Sequence, residues 1–196
     1  MFHNMPKQIL KRMQYLERLD ARHRKQDISH LKRLRQIPPA TGKFLALVAA
    51  SAPDGTYLEI GTSAGYSTLW LTLACREVGR KITTFEVLEE KASLAMETFK
   101  QAGVEAIVDL VTGDARQHLA GYKDVAFCFL DAEKKYYNEC FQAVVPNMVP
   151  GGILVADNVI THQEILKGMV AKALKDKRVD SMIVPIGSGL LMCRKF

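Results

Sequence analysis

Short apolar runs alternate with helix-length stretches along most of this 196-residue chain. The runs Thr56–Ile60, Lys81–Val87, Ala106–Val111, Val125–Leu130 and Gly152–Ala156 fit strands covered on both faces. Helical patterns separate them, at about 65–78, 89–102, 115–120 (a short one), 133–148 and 162–176. This alternation predicts βαβ units built around a parallel sheet, with helices on both faces. The end of the chain departs from it. Ser181–Ile186 and Leu190–Arg194 are both strand-like, with only Gly187-Ser188-Gly189 between them. Three residues can join an antiparallel hairpin but cannot make the crossover that a parallel pair needs. The expected fold class is α/β: a parallel sheet that ends in an antiparallel hairpin.

Residues 1–52 read as a helical N-terminal extension ahead of an α/β core over 53–196, the whole forming one domain. Ile9, Met13, Leu16 and Leu19 recur at helical spacing, as do Ile28, Leu31 and Leu34. Pro38-Pro39 breaks the pattern, and Phe44, Leu45, Leu47 and Val48 begin another apolar helix that runs towards Pro53. Charge is uneven. Residues 1–43 hold eleven Lys/Arg against three acids, a balance of +8, and the remainder carries −2. A solvated helix face accounts for this, as does a basic patch for RNA or an anionic substrate. No stretch approaches the roughly 18 apolar residues that span a bilayer, and the charged N-terminus is not a secretory signal. Cys75, Cys128, Cys140 and Cys193 are far apart and sit in apolar segments. No CxxC or Cys/His cluster points to zinc or a disulfide framework, and buried thiols in a reducing cytoplasm are expected.

The chemistry begins at Tyr57-Leu58-Glu59-Ile60-Gly61-Thr62-Ser63-Ala64-Gly65-Tyr66-Ser67, a strand, a glycine turn and a helix start. Gly61 and Gly65 frame the turn and let backbone approach a ligand. The free N–H groups of the next helix, with the hydroxyls of Ser63, Ser67 and Thr68, suit a carboxylate. A nicotinamide site would show GxGxxG, but Glu59 stands two positions before Gly61. An acid is unfavourable beside a pyrophosphate and favourable beside an ammonium group. No Gly-Lys-Ser/Thr follows, which excludes a P-loop. S-adenosylmethionine (SAM), with an α-ammonium, a carboxylate and no phosphate, fits this pattern. Glu86, ending the second strand, is placed to accept from ribose hydroxyls. Gly113-Asp114-Ala115 closes the third, where a carboxylate can edge an adenine or cap the following turn.

A second group lies at the same sheet edge. Asp131 follows Val125–Leu130, and Asp157-Asn158 follows Gly152–Ala156. Two carboxylates and an amide oxygen at neighbouring strand ends make a hard-oxygen site suited to Mg²⁺ or a similar ion. Lys134 is placed to point its amine into the same cleft. The plainer reading is that Asp131 and Asp157 cap the next helices and Lys134 is solvated.

From about Pro38 to Phe196 the sequence resembles the metal-dependent class I SAM O-methyltransferases of the catechol and caffeoyl-CoA type. The agreeing stretches are Leu58 to Ser67, Phe85-Glu86, Gly113-Asp114-Ala115, Leu130-Asp131-Ala132-Glu133-Lys134-Lys135-Tyr136-Tyr137, and Pro150-Gly151-Gly152 through Asp157-Asn158-Val159. The resemblance implies a Rossmann-like sheet and a bacterial-type member, often dimeric. It implies that Glu59, Gly61, Ser63, Gly65, Tyr66 and Ser67 contact the methionyl part of SAM, that Asp131 also touches the cofactor, and that Asp131 is catalytic together with Lys134. Glu86 would then hold the ribose, and Asp114 with Ala115 the adenine. Asp131, Asp157 and Asn158 match the family's metal ligands, and Lys134 matches its catalytic lysine. A divalent ion would lower the pKa of a hydroxyl on a small catechol-like acceptor, Lys134 would take the proton, and the oxyanion would attack the sulfonium methyl. A bacterial branch of the family methylates a hydroxylated uridine in tRNA, and the basic N-terminal helices favour that alternative.

The chain departs from the family pattern after Asn158. It carries Ile160-Thr161-His162-Gln163-Glu164 where relatives have an aromatic or arginine-containing segment, and it shows no counterpart of the acid that grips a second catechol hydroxyl. His162 is either a second candidate base or a surface histidine at a helix start.

Overall fold

The computed structural model describes residues 1–25 and 33–196. In chain order the elements are α1 (Lys7–Lys25), α2 (Pro39–Ala50), β1 (Thr56–Ile60), α3 (Tyr66–Val78), β2 (Ile82–Glu86), α4 (Glu89–Ala102), β3 (Val108–Thr112), β4 (Val125–Leu130), α5 (Tyr137–Val144), β5 (Met148–Ala156), α6 (Gln163–Ala173), β6 (Val179–Val184) and β7 (Leu190–Lys195). They build a seven-stranded sheet in the order β3-β2-β1-β4-β5-β7-β6. The first five strands run parallel, and β7 lies antiparallel to both β5 and β6. The α/β fold with its closing hairpin is as the sequence predicts.

The pleat of β4 separates two cores. All six of its residues are buried. Phe127 and Phe129 face a cluster with Ile9 of α1, Leu45 of α2, Trp70 of α3 and Phe99 of α4. Cys128 and Leu130 face the opposite cluster, with Phe141 of α5 and Leu166 of α6. Successive strand side chains point to opposite faces, so one apolar run anchors both helical layers. After β3 the chain returns across the sheet to place β4 on the other side of β1. The β1–β4 boundary is therefore the switch point, where the loops above the sheet diverge and leave a crevice.

Several elements differ from their sequence reading. The 115–120 stretch forms two 3₁₀ turns, Ala115–Gln117 and Leu119–Gly121, not one helix. The 133–148 helix shrinks to α5, flanked by 3₁₀ turns at Lys134–Tyr136 and Val145–Asn147. Pro146 lacks the N–H that a further helical turn needs. β3 begins two residues late, after a 3₁₀ turn at Glu105–Ile107, and only Val108 in it is buried because it is an edge strand. β5 starts at Met148, and its pairing with β4 shifts register between Val125 and Phe127. Of the second N-terminal apolar set, Ile28 and Leu31 lie outside the described residues; Leu34 is buried in a non-helical segment.

The basic N-terminus divides by role. On α1, Ile9, Met13 and Leu16 bury against the first core. Arg12 is buried too, donating from Nε and Nη2 to Thr98 Oγ1 at 3.1 and 2.9 Å and from Nη1 to Gln101 Oε1 at 2.8 Å. Its charge fastens α1 to α4 and is not offered to solvent.

Candidate active site

The crevice at the switch point is built by two glycines and the strand ends they allow to meet. The N–H of Gly61 donates to the Phe85 carbonyl at 3.0 Å, and its φ is 108°. A Cβ on Gly61 would stand 2.3 Å from the backbone oxygen of Asp131, so the ends of β1 and β4 pack main chain against main chain. Gly65, with φ of 86°, precedes α3, and a Cβ there would meet the Phe99 ring at 2.7 Å. Between them Ser63 has φ of 48°. Its N–H donates to Glu86 Oε2 at 2.7 Å and its hydroxyl to the Leu34 carbonyl at 2.9 Å. The Leu88 N–H takes the other Glu86 oxygen at 3.0 Å. Two backbone donors thus fix the carboxylate at the end of β2.

Glu59 lies behind this turn and is fully buried. The hydroxyls of Thr68 and Thr84 donate to its Oε2 at 2.5 and 2.6 Å, while Oε1 has no partner among the described residues. Burial raises its pKa to about 7, against the nearby hydroxyls of Ser67, Thr68 and Thr84, which lower it, while the charge of Asp131 raises it further. The folded state therefore keeps a proton that the unfolded chain loses near pH 4.5. Stability of the ligand-free protein should fall as pH rises from about 4.5 through about 7. We expect Glu59→Gln to remove roughly 3 kcal/mol of that decline, read as the difference between variant and parent in urea midpoints at pH 5 and 8. Equal slopes in the two proteins would contradict the assignment.

At the end of β3, Asp114 combines two roles that the sequence left open. Its side chain caps the 3₁₀ turn by accepting the Arg116 N–H at 3.0 Å, and it also borders the crevice. The Arg116 guanidinium, hydrogen-bonded to both Asp114 oxygens, holds its carboxyl below the usual carboxylate range. Arg116 also pairs with Glu139 at 2.6 Å and stacks on Tyr136, 3.6 Å from the ring centre. This makes a rigid wall of alternating charge and aromatic surface.

At the ends of β4 and β5 stand Asp131 and Asp157. The Asp131 N–H donates to Ile60 and that of Asp157 to Leu130, continuing the strand ladder past its last residues. Lys134 Nζ donates to Asp131 Oδ1 at 2.9 Å, to the Ala132 carbonyl at 3.0 Å and to the Tyr137 hydroxyl at 3.1 Å. Asp157 is 2% exposed and accepts the Asn158 N–H at 2.7 Å. Burial, followed by the charge of Asp131, pushes its pKa up to about 7. Two carboxylates at neighbouring strand ends, one of them buried, form a negatively charged pair on the cavity lining. Asn158 adopts φ of 67°, a conformation that asparagine tolerates better than most residues. Neither aspartate caps a helix: the residue before α6 is His162. Among the described residues, no three His, Cys, Asp or Glu side chains group as metal ligands, and the expected set contains only two carboxylates besides its amide.

One cavity of about 490 Å³ joins these groups, within the usual size for small-molecule sites. All the expected site residues line it except Glu59 and Gly65, which lie beneath its wall. Tyr66 borders it, but the tyrosine hydroxyl turns to α1 and donates to Glu17 Oε1 at 2.6 Å. A family model described as O-methyltransferase matches residues 10–196. This chain belongs to the O-methyltransferase family.

Relatives of this O-methyltransferase-family chain include a catechol O-methyltransferase of Niastella koreensis, 37% identical over 135 residues. That alignment covers 66% of this chain and 61% of the relative. A catechol O-methyltransferase of Mycobacterium tuberculosis is 33% identical over 142 residues, covering 71% of this chain and 64% of its own length. These catechol-named relatives are thus matched over less than two thirds of their length. The crystal structure of an O-methyltransferase from Bacillus cereus in complex with SAH has a TM-score of 0.77 at 24% identity. It matches over 95% of this chain and 91% of its own.

Four residues that the sequence reading did not single out also shape the site. Tyr137, fully buried, joins Lys134 to Asp131. Arg35 reaches Glu133 at 2.8 Å, beside Lys134. Lys91, 7% exposed, borders the cavity, its pKa lowered by burial and then by Arg35. Gln36 lines the same space. Tyr137 sits three residues after Lys134 inside a quoted motif, which was a usable signal. The other three carry no local pattern.

Proposed function

We propose that this protein is a SAM-dependent methyltransferase acting on one hydroxyl of a small catechol-like or phenolic acceptor, assisted by a divalent metal. The observation that carries the reading is one cavity bounded by two chemically distinct halves. At one end, the Ser63 turn and the held Glu86 carboxylate suit an amino-acid tail and a ribose. The unpartnered Glu59 Oε1 behind the turn suits an α-ammonium, and Asp114 with Ala115 suits an adenine. At the other end lie Asp131, Asp157, Asn158 and Lys134.

The metal fits this donor set, because hard oxygens from two carboxylates and one amide border the same space and the charge of Asp131 raises the proton affinity of Asp157. Asp131, Asp157 and Asn158 would hold it, and its chemistry would be to lower the pKa of the acceptor hydroxyl. The chain's own residues do the rest. Lys134 uses its amine on three acceptors, the pattern of an ammonium donating all three protons. To act as the base, the amine first gives one proton to water, which frees the lone pair that takes the acceptor hydroxyl's proton, while the two remaining N–H groups keep it in place. Asp131 and Tyr137 fix where the amine stands. Alignment of the oxyanion with the sulfonium methyl then supplies most of the acceleration.

A specific feature of α1 supports a second reading, methylation of a hydroxyuridine in tRNA. Lys7, Lys11, Arg18, Arg22 and Lys25 are all exposed. At helical spacing they fall within an arc of about 60° along roughly 27 Å of helix. A stripe of this kind suits a phosphate backbone. One screen separates the readings: methyl transfer from SAM to catechol and to undermodified tRNA, with and without chelation. We expect catechol turnover that is lost after thorough chelation and restored by Mg²⁺. Unchanged turnover after chelation would overturn the metal-assisted step. Transfer to tRNA alone, weakening steeply with salt, would replace the small-molecule reading.

We further propose that residues 1–196 act as one domain and that the protein is a cytoplasmic homodimer. The shared core of α1 and the sheet supports the first, and four buried free cysteines the reducing compartment. Exposed Leu10 and Tyr15 on α1 offer apolar surface to a second copy. No helix among the described residues is long and apolar enough to cross a membrane.

A further inference from the structure

We propose that cofactor binding is proton-linked through Glu59: the free protein holds this side chain as a neutral acid, and arrival of the ligand's α-ammonium expels its proton. The inference rests on the cofactor reading above and adds to it an affinity that depends on pH.

The fold buries the Glu59 carboxyl without a counter-charge. Its Oε2 accepts from the hydroxyls of Thr68 on α3 and Thr84 on β2, and the Thr84 and Thr62 hydroxyls stand 2.6 Å apart. The titratable groups facing it are Cys75 on α3, Cys128 on β4 and Asp131 beyond the end of β4. Burial pushes both thiols up, so they are neutral, and Asp131 is an acid. None of these is a cation. A carboxylate taken out of water with hydroxyls alone for company binds a proton instead. The pKa of about 7 agrees with that geometry.

Glu59 Oε1 is sealed within the protein, so the ligand acts on the carboxyl through its field and needs no contact with it. The separation is short. Ile60 and Gly61, the next two residues, line the cavity, as does Ser67 of α3, whose hydroxyl is among those that lower the Glu59 pKa. An amino-acid tail docked on this turn therefore brings its ammonium to the far side of one layer of chain. A cation within about 6 Å lowers a carboxyl's pKa by roughly 1–3, and dry surroundings strengthen the effect. By linkage, a ligand that lowers the pKa binds the deprotonated protein more tightly. Affinity thus rises as pH climbs towards about 7 and levels off above it. The proton that stabilises the free fold at low pH is the one that the ligand displaces.

The test is calorimetric titration with SAH in two buffers of different ionisation enthalpy, on parent, Glu59→Gln and Thr84→Val. For the parent we expect release of about 0.8 proton per SAH at about pH 6, and binding about 20-fold tighter at about pH 7.5 than at about pH 5.5. 5′-Methylthioadenosine, which keeps adenine and ribose but has no amino-acid tail, should release none. Asp157 titrates near the same pH in this cavity, and Glu59→Gln separates the two groups. That variant should bind SAH weakly at every pH, with release below about 0.2 proton. Thr84→Val removes a donor that lowers the Glu59 pKa, so its rise in affinity should move to higher pH. SAH binding by the parent without proton release would overturn the inference and leave the function intact. Undiminished release in Glu59→Gln, or equal release with 5′-methylthioadenosine, would overturn it too. A parent that binds no SAH would overturn the cofactor reading, and the inference with it.

Discussion

Replacing Asp131 by alanine should lower methyl transfer by about 1000-fold while SAH affinity changes by less than about threefold. Asp131 accepts from Lys134 Nζ at 2.9 Å and from the Tyr137 hydroxyl at 3.4 Å, so its loss releases the amine from its fixed position. It also leaves Asp157 as the remaining carboxylate of the candidate metal set. The methionyl and ribose contacts proposed for SAM come mainly from the Ser63 turn and Glu86, whose hydrogen bonds do not involve the Asp131 side chain. Single-turnover rates, with SAH binding by calorimetry, separate the two effects. Transfer within tenfold of the parent would remove Asp131 from the reacting group. A parallel collapse of SAH affinity would move it into the cofactor contacts.

Gly61→Ala is the second large effect, and it acts on the fold. The φ of 108° is one that an L side chain rarely adopts, and the new Cβ would sit 2.3 Å from the Asp131 carbonyl oxygen. That neighbour is backbone, held in the ladder between β1 and β4, and it cannot swing away as a side-chain tip does. Strain and overpacking add, and we expect a loss of about 3–5 kcal/mol in unfolding free energy. Denaturant unfolding measures it directly. Relief of the clash would also push Asp131 away from β1, so any folded fraction should show weakened SAH binding. A loss under about 1 kcal/mol would mean that the strand ends can separate freely.

These two positions mark what a sequence can disclose. Gly61, Ser63 and Gly65 are legible because a strand-to-helix turn is local: the residues that need unusual backbone angles are the residues that form it. Asp131 and Asp157 are legible for a related reason, since each directly follows an apolar run whose end is its address. Asp114 shows the limit, because capping and ligand contact are compatible and only the side chain's direction shows that both hold. Glu59 shows another. The sequence offers its carboxylate to a ligand ammonium, but only the fold shows that Thr68 and Thr84, the latter on β2 and 25 residues away, hold one of its oxygens and that the other has no partner among the described residues.

The sequence by itself determined the α/β class, the hairpin that ends the sheet, and which residue types stand at the strand ends. Periodicity, turn lengths and glycine conformations act over a few residues and need no partner. The tertiary structure alone decided that β1 and β4 are neighbours across the switch point, that Arg12 is spent holding α1 to α4, and that Gln36 borders the same cavity as Asp131. Each of these depends on which distant segments share a packed interior. Burial, not spacing, then sets the charge state of Glu59.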